Sequence, residues 1–218
     1  MRRSIAVLAA GIAVGLAAPF PAALADSGSS ALGSGSASGS GTGSLSGSGG
    51  SNSNLPPYSQ WIGDITPIAA DAQTYLTTAL PGTTKPAIVF DVDNTVLETT
   101  YHPGPITPAI QPILKLAQWA KSQGASIIFV TGRPALMNFY TQINLTTVGY
   151  PVDGLYGGGL TTGSSGAGAL ADYKTATRAS IEAQGYTIVA NIGNSASDLS
   201  GGHASKTFKL PDYNGALQ

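Results

Sequence analysis

No cysteine occurs among the 218 residues, which excludes disulfide bracing and a lipid-bearing cysteine, so the core must hold the fold unaided. Charged side chains make up only 10% of the chain, and 10 basic residues stand against 11 acidic ones. That balance leaves no basic surplus to hold a nucleic-acid backbone. Apolar runs of membrane-spanning length are missing too; the longest, Ile5 to Ala18, is too short to cross a bilayer comfortably. It follows Arg2 and Arg3 and precedes Pro19, Pro21 and the small-residue tripeptide Ala23-Leu24-Ala25. The pattern is that of a secretory signal peptide over residues 1–25, and it implies a secreted protein with no membrane anchor after cleavage. From Ser27 to Asn54 there is neither a charged nor an aromatic residue, and Gly and Ser dominate. Such a stretch cannot bury enough apolar surface to fold, so residues 26–54 are expected to be a disordered linker and 55–218 one folded domain.

Within that domain the most informative stretch is Ala87 to Leu97, A-I-V-F-D-V-D-N-T-V-L. Its opening apolar residues do not alternate with polar ones, and Ile88 and Val89 are β-branched, the pattern of a strand covered on both faces in a parallel sheet. Asp91 ends the run and Asp93 follows one residue later. The carboxyl edge of such a sheet is where ligands bind. Two carboxylates so close repel each other unless a cation lies between them or one is protonated. Magnesium, a hard cation that takes oxygen ligands, suits the pair. A turn or helix cap built from Asp93, Asn94 and Thr95 is the alternative reading, since all three are favoured there.

Around this stretch the pattern alternates helix and strand. Trp61, Ile65, Ile68, Ala69, Ala72, Leu76 and Leu80 predict one or two amphipathic helices, broken near Thr66-Pro67 and stopped by Pro81-Gly82. Strands are expected at 86–91, 126–130, 154–156, 187–192 and 206–210, with helices between most of them. The second strand ends in Thr131-Gly132-Arg133-Pro134, where the Thr131 hydroxyl suits a phosphoryl oxygen and Gly132 permits close backbone approach. A helix opening at Asp172 would carry Lys174 in its first turn, where the helix dipole disfavours a cation. His102, in the loop Glu98 to Pro105, lies close in sequence to the carboxylates, and an imidazole suits proton transfer; it is a candidate substrate contact, with loop packing as its competing role.

D-V-D-N-T resembles the D-x-D-x-T signature of the haloacid dehalogenase-like (HAD) phosphohydrolases, and residues 55 onward resemble their secreted acid phosphatase branch, subfamily IIIB or class B-like. N-L-T-T-V-G-Y-P, from Asn144 to Pro151, is similar to a stretch of that branch. The resemblance implies that Asp91 is the nucleophile and Asp93 the general acid and base. It makes Thr131, in T-G-R, the second motif and Lys174 the third. Asn194 and Asp198, in G-N-S-A-S-D, would be the fourth. It implies magnesium held by Asp91, Asp93, Asn194 and Asp198, and a phosphate ester held by Thr131, Gly132 and Lys174. Asn194 departs from the family pattern, because an amide offers oxygen but no negative charge. The expected fold is a three-layer α/β/α, Rossmann-like sheet with strand one between strands two and four, N-terminal helices and no large cap domain. The expected function is that of a secreted, magnesium-dependent phosphomonoesterase acting on small-molecule esters through an aspartyl-phosphate. A non-catalytic ester-binding protein weakened at Asn194 and a phosphotransferase are the alternatives.

Overall fold

The computed structural model describes residues 55–164 and 166–217, so the signal peptide and linker expectations lie outside the described residues. Helix α1, Tyr58–Ala79, buries Trp61, Ile65, Ala69, Ala72 and Leu76 at spacings of three and four. One apolar stripe therefore runs past Pro67, and the break expected near Thr66-Pro67 does not occur. Pro67 and Gly63, whose carbonyl loses its amide donor to the proline ring, both face solvent, where water can serve that carbonyl. Thr66 Oγ1 also donates to the Ile62 carbonyl at 2.7 Å.

Five strands form one sheet: β1 Pro86–Phe90, β2 Ser126–Pro134, β3 Gly154–Gly158, β4 Thr187–Gly193 and β5 Lys206–Lys209. Their order is β3-β2-β1-β4-β5 and every pairing is parallel, so β1 lies centrally between β2 and β4 as expected. Ile88 and Phe90 point into the larger core beneath α1 and α2 (Gln111–Ser122). Ala87 and Val89 point to the other face, against Ile128, Val130, Ile181 and Ile188. Burial on both faces is why the sequence of β1 shows no alternation.

Strand β2 runs four residues past its expected end. Thr131 pairs with Gly157 and Pro134 with Gly158, so Gly132 and Arg133 form an irregularity that leaves the ladder beside the sheet's carboxyl edge. Beyond β2 lie a 3-10 turn, Ala135–Met137, and helix α3, Asn138–Thr147. No cap domain is inserted among the described residues. Helix α4, Ala167–Ala183, begins five residues earlier than the expected start at Asp172, with Gly166 at φ +91 leading into it. Lys174 is thus well inside the helix, and a dipole misfit at a first turn does not arise. A short α5, Ala196–Leu199, follows β4.

The long loop between β1 and α2 is fixed to α3 by one side chain. Asn144, 4% exposed, accepts from the Thr107 amide at 2.9 Å and donates to the Thr107 carbonyl at 2.8 Å. Asn144→Ala would leave both buried backbone groups unpaired, at an expected cost of about 2 to 4 kcal/mol in urea unfolding. A loss below about 0.5 kcal/mol, the scale of an ordinary surface change, would mean that the loop is not held this way.

Candidate active site

Four sequence-distant segments meet at the carboxyl edge of the sheet. Asp91 follows β1 directly, and its backbone amide bonds to the Ile192 carbonyl of β4 at 3.0 Å. Lys174 reaches the same point from α4. Its Nζ donates to Asp91 Oδ1 at 2.6 Å and to Asp198 Oδ1 at 2.5 Å, and all three residues are buried. Asp198 Oδ2 accepts from the Ser195 amide at 2.7 Å in a capping box at the start of α5. Gly193 makes this possible, since a Cβ there would collide with Asp198.

Asp93 is held separately. Arg133 Nε donates to its Oδ2 at 2.9 Å and Nη2 to its Oδ1 at 2.6 Å, while Thr99 Oγ1 donates to Oδ1 at 2.7 Å. The loop bearing Asp93 is tied to the fourth segment through Thr95, whose Oγ1 donates to Asn194 Oδ1 at 3.0 Å and accepts from the Asn194 amide at 3.1 Å. A cleft of about 280 Å³ opens over these groups, lined by Asp91, Asp93, Gly132, Arg133, Lys174, Asn194 and Asp198, with Leu170 and Leu217 adding apolar surface.

Three carboxylates share two cations here, and the ionisation of each group follows from that count. Burial, and then the charge of Asp198, push Asp91 up to about 7 against the downward pull of Lys174. Burial also works on Asp93, but the hydrogen bonds and charge of Arg133 outweigh it and hold this carboxyl below its ordinary range. For Lys174, burial favours the neutral amine, yet the two carboxylates overcome it and raise the ammonium above its ordinary value. One ammonium cannot neutralise two buried carboxylates, so negative charge is left over.

Asp91, Asp93, Gly132, Lys174, Asn194 and Asp198 are brought together as expected. Other expectations need correction. Thr131 is fully buried, is not part of the cleft lining, and its Oγ1 accepts from the Arg133 amide at 3.2 Å; it shapes the Gly132-Arg133 turn. His102 is also outside the cleft lining. Its Nδ1 lies 2.5 Å from Glu98 Oε2, in a cluster where Tyr58 Oη donates to Glu98 Oε1 at 2.7 Å. Asp93 and Asp198 each bond to protein donors through both carboxylate oxygens and still keep lone pairs to spare.

Sequence reading missed the partners that position these groups. Arg133 stands in the sequence only as the last residue of T-G-R, with no role of its own. Arg178, 1% exposed, donates to the carbonyls of Asp198, Gly202 and Ser200 and so fixes the α5 turn. An arginine among the small residues of α4, whose sequence would otherwise read as a solvated face, was the available signal.

Residues 105–216 match the family described as HAD superfamily, subfamily IIIB (Acid phosphatase). The matched segment holds Lys174 and Asp198 and begins after Asp91 and Asp93. The soybean (Glycine max) stem 28 kDa and stem 31 kDa glycoproteins are each 39% identical over 117 residues, 48% of this chain. The chain spans 42% and 36% of their respective lengths. Among solved structures, the class C acid phosphatase from Bacillus anthracis aligns with a TM-score of 0.55 at 23% identity, over 66% of each chain. Its tungstate-bound form aligns at 0.53 and 21%, over 66% of this chain and 67% of that one. These two likenesses establish the fold.

Lys174→Met removes the cation between two buried carboxylates and is expected to cost about 3 to 5 kcal/mol at neutral pH. Without the ammonium, Asp91 sits further above its unfolded pKa value, so the folded variant takes up protons that the unfolded chain does not. Its deficit relative to the wild type should therefore shrink as pH falls. Urea unfolding at several pH values checks this; a deficit that is small or independent of pH would count against the arrangement.

Proposed function

We propose that this chain, which belongs to the HAD superfamily, subfamily IIIB (acid phosphatase), hydrolyses small-molecule phosphomonoesters through a phosphoryl group carried on Asp91. The observation that carries the reading is a buried carboxylate, Asp91, held at 2.6 Å by Lys174 on the wall of a cleft that also exposes Gly132 and Arg133. In the first step an Asp91 oxygen attacks phosphorus, and the new acyl-phosphate bond forms as the ester P–O bond breaks. The leaving oxygen takes a proton from Asp93. Water then attacks the phosphorus of the aspartyl-phosphate and gives a proton to Asp93, which releases phosphate and restores Asp91. Lys174 offsets charge on the phosphoryl oxygens throughout, as positioning and charge stabilisation do in such transfers.

Asp93 must be protonated to act first, yet Arg133 keeps it ionised in the free protein. A phosphoryl dianion entering beside Gly132 competes for the same guanidinium. Transfer of Arg133 from carboxylate to phosphate removes the charge that lowers the Asp93 pKa, so ester binding itself readies the acid.

Enzymes of this superfamily generally use magnesium, and the residues here fit such an ion: the donors are all oxygen and negative charge is in excess. Asp91, Asp93, Asp198 and the amide oxygen of Asn194, all on the cleft lining, would hold it, each through a lone pair left beside its hydrogen bonds. Bound there, it supplies charge stabilisation at the phosphoryl oxygens. An exported location accords with the leader-like residues 1–25 and with relatives named as glycoproteins; among the described residues no helix is long and apolar enough to cross a membrane.

The test is hydrolysis of 4-nitrophenyl phosphate by the full chain from acid to neutral pH, with magnesium and with chelator. Asp91→Asn should lower turnover by at least about a thousandfold. Arg133→Ala should lower kcat/KM about ten- to a hundredfold, the worth of a lost charge-assisted contact, and Arg133→Lys should restore it only in part. A folded wild-type chain that binds phosphate but turns over no ester would point to the ester-binding alternative, for which Asn194 is the specific ground.

A further inference from the structure

A surface helix ordinarily turns its apolar stripe to the core. Helix α3 does the reverse. It buries Thr141, Asn144 and Leu145, and the two polar residues are in use: Asn144 holds the Thr107 backbone, and Thr141 Oγ1 accepts from Arg133 Nη1 at 3.4 Å. The large apolar groups stand outside. Phe139, Tyr140 and Ile143 on the helix, with Leu136 and Met137 in the turn before it, recur at spacings of three and four, and all are exposed. The rings of Phe139 and Tyr140 meet edge to face, with centroids 5.7 Å apart.

Two neighbouring segments extend this surface. Ile106, also exposed, precedes the Thr107 that Asn144 anchors to α3. Leu160 belongs to the loop that leaves β3 beside the same turn, where Gly157 approaches so closely that a Cβ on it would collide with Asn138 and Ala135. Leu136, Phe139, Tyr140 and Leu160 are each at least 64% exposed. Among the described residues, Tyr58 is the one large hydrophobic side chain exposed elsewhere. Charge is scarce as well. Between Arg133 and Asp172 the sequence holds a single charged residue, Asp153, and it pairs with Lys121 of α2.

A surface without charge is its own complement. Laid against a second copy about a two-fold axis, it meets nothing that repels it, and each contact occurs twice. Its extent suits that use. The exposed parts of these side chains come to on the order of 800 Å², more than the few hundred Å² of contiguous apolar surface that a monomer ordinarily shows and about one partner's share of a standard interface. Aromatic rings and methionine, with charge excluded, are also what the core of an interface carries. An anionic membrane would instead recruit lysine and arginine, which this stretch lacks.

We infer that the outward face of α3 is the interface of a two-fold homodimer, with Phe139 and Tyr140 of each copy at its centre and Ile106 and Leu160 toward its rim. The inference stands apart from the reaction proposed above and needs no turnover.

Sedimentation of the full chain from about 0.1 to 100 µM tests it, since interfaces of this size dissociate from the micromolar range downward. The wild type should be dimeric at the upper concentrations. Phe139→Glu and Tyr140→Glu, which each bring like charges into the buried centre, should weaken the dimer by at least about thirtyfold, and the double variant should be monomeric throughout. Both positions are exposed within one copy, so circular dichroism should show the variants folded. Asp71→Lys is the control: it lies on α1, which packs over β4 and β5 at the other end of the sheet from β3, and it should change the dissociation constant by less than about twofold. A wild type that stays monomeric, a double variant that still dimerises, or an equal loss in Asp71→Lys overturns the interface. Growth beyond two copies with rising concentration overturns the two-fold contact. A monomer that binds phosphatidylcholine vesicles, and loses them in Phe139→Glu, would assign the face to lipid and overturn the homodimer equally.

Discussion

The ammonium of Lys174 lies 2.6 Å from Asp91 and 2.5 Å from Asp198 in a place that solvent barely reaches. Two buried carboxylates in such a place cost several kcal/mol of desolvation each, and one cation between them offsets only part of it. Much of the surrounding structure serves to keep that cation and its partners in place. The Ser195 amide holds the second oxygen of Asp198, and Arg178 with Asn191 holds the carbonyl of the same residue. Burial, and behind it the charge of Asp198, is what raises Asp91, and the residual negative charge makes the cleft receptive to a further cation.

A second ion pair is arranged on the opposite principle. Arg133 and Asp93 are partly exposed, and their bidentate contact stands at the mouth of the cleft. A pair reached by solvent and by ligand can exchange partners at modest cost, whereas the Lys174 cluster cannot. One cluster fixes the nucleophile; the other is free to respond to an incoming anion. The parallel sheet makes this division possible, because β1, β2 and β4 end side by side and deliver the two carboxylates, the arginine and the asparagine to one edge.

Much of this was legible in the chain itself. Five strands and the meeting of Asp91, Lys174 and Asp198 follow from apolar runs that stop at polar clusters, together with motifs whose order resembles a known family; the place of β1 between β2 and β4 follows from that resemblance. The start of α4 was misplaced because Ala167 to Leu170 follow a Gly-rich stretch that looks like loop, while packing of Leu170 by Gly132 favours helix. The unbroken α1 was missed because the proline signal is local and the burial that overrides it is not. His102 was drawn toward the carboxylates by nearness in sequence; Glu98, buried behind it, turns the ring elsewhere.

The sequence by itself determined which stretches are strands and helices, and which carboxylates and lysine stand at the strand ends, because periodicity and composition are properties of neighbours along the chain. Only the tertiary structure decided what those groups face. That Arg133 pairs with Asp93, that Thr131 is buried under its own turn, and that Asn94 and Asn194 converge on the Leu217 carbonyl are contacts between residues up to 123 positions apart. Partners at such separations are chosen by packing and by the need of each buried polar atom for a mate, and neither is written in local pattern.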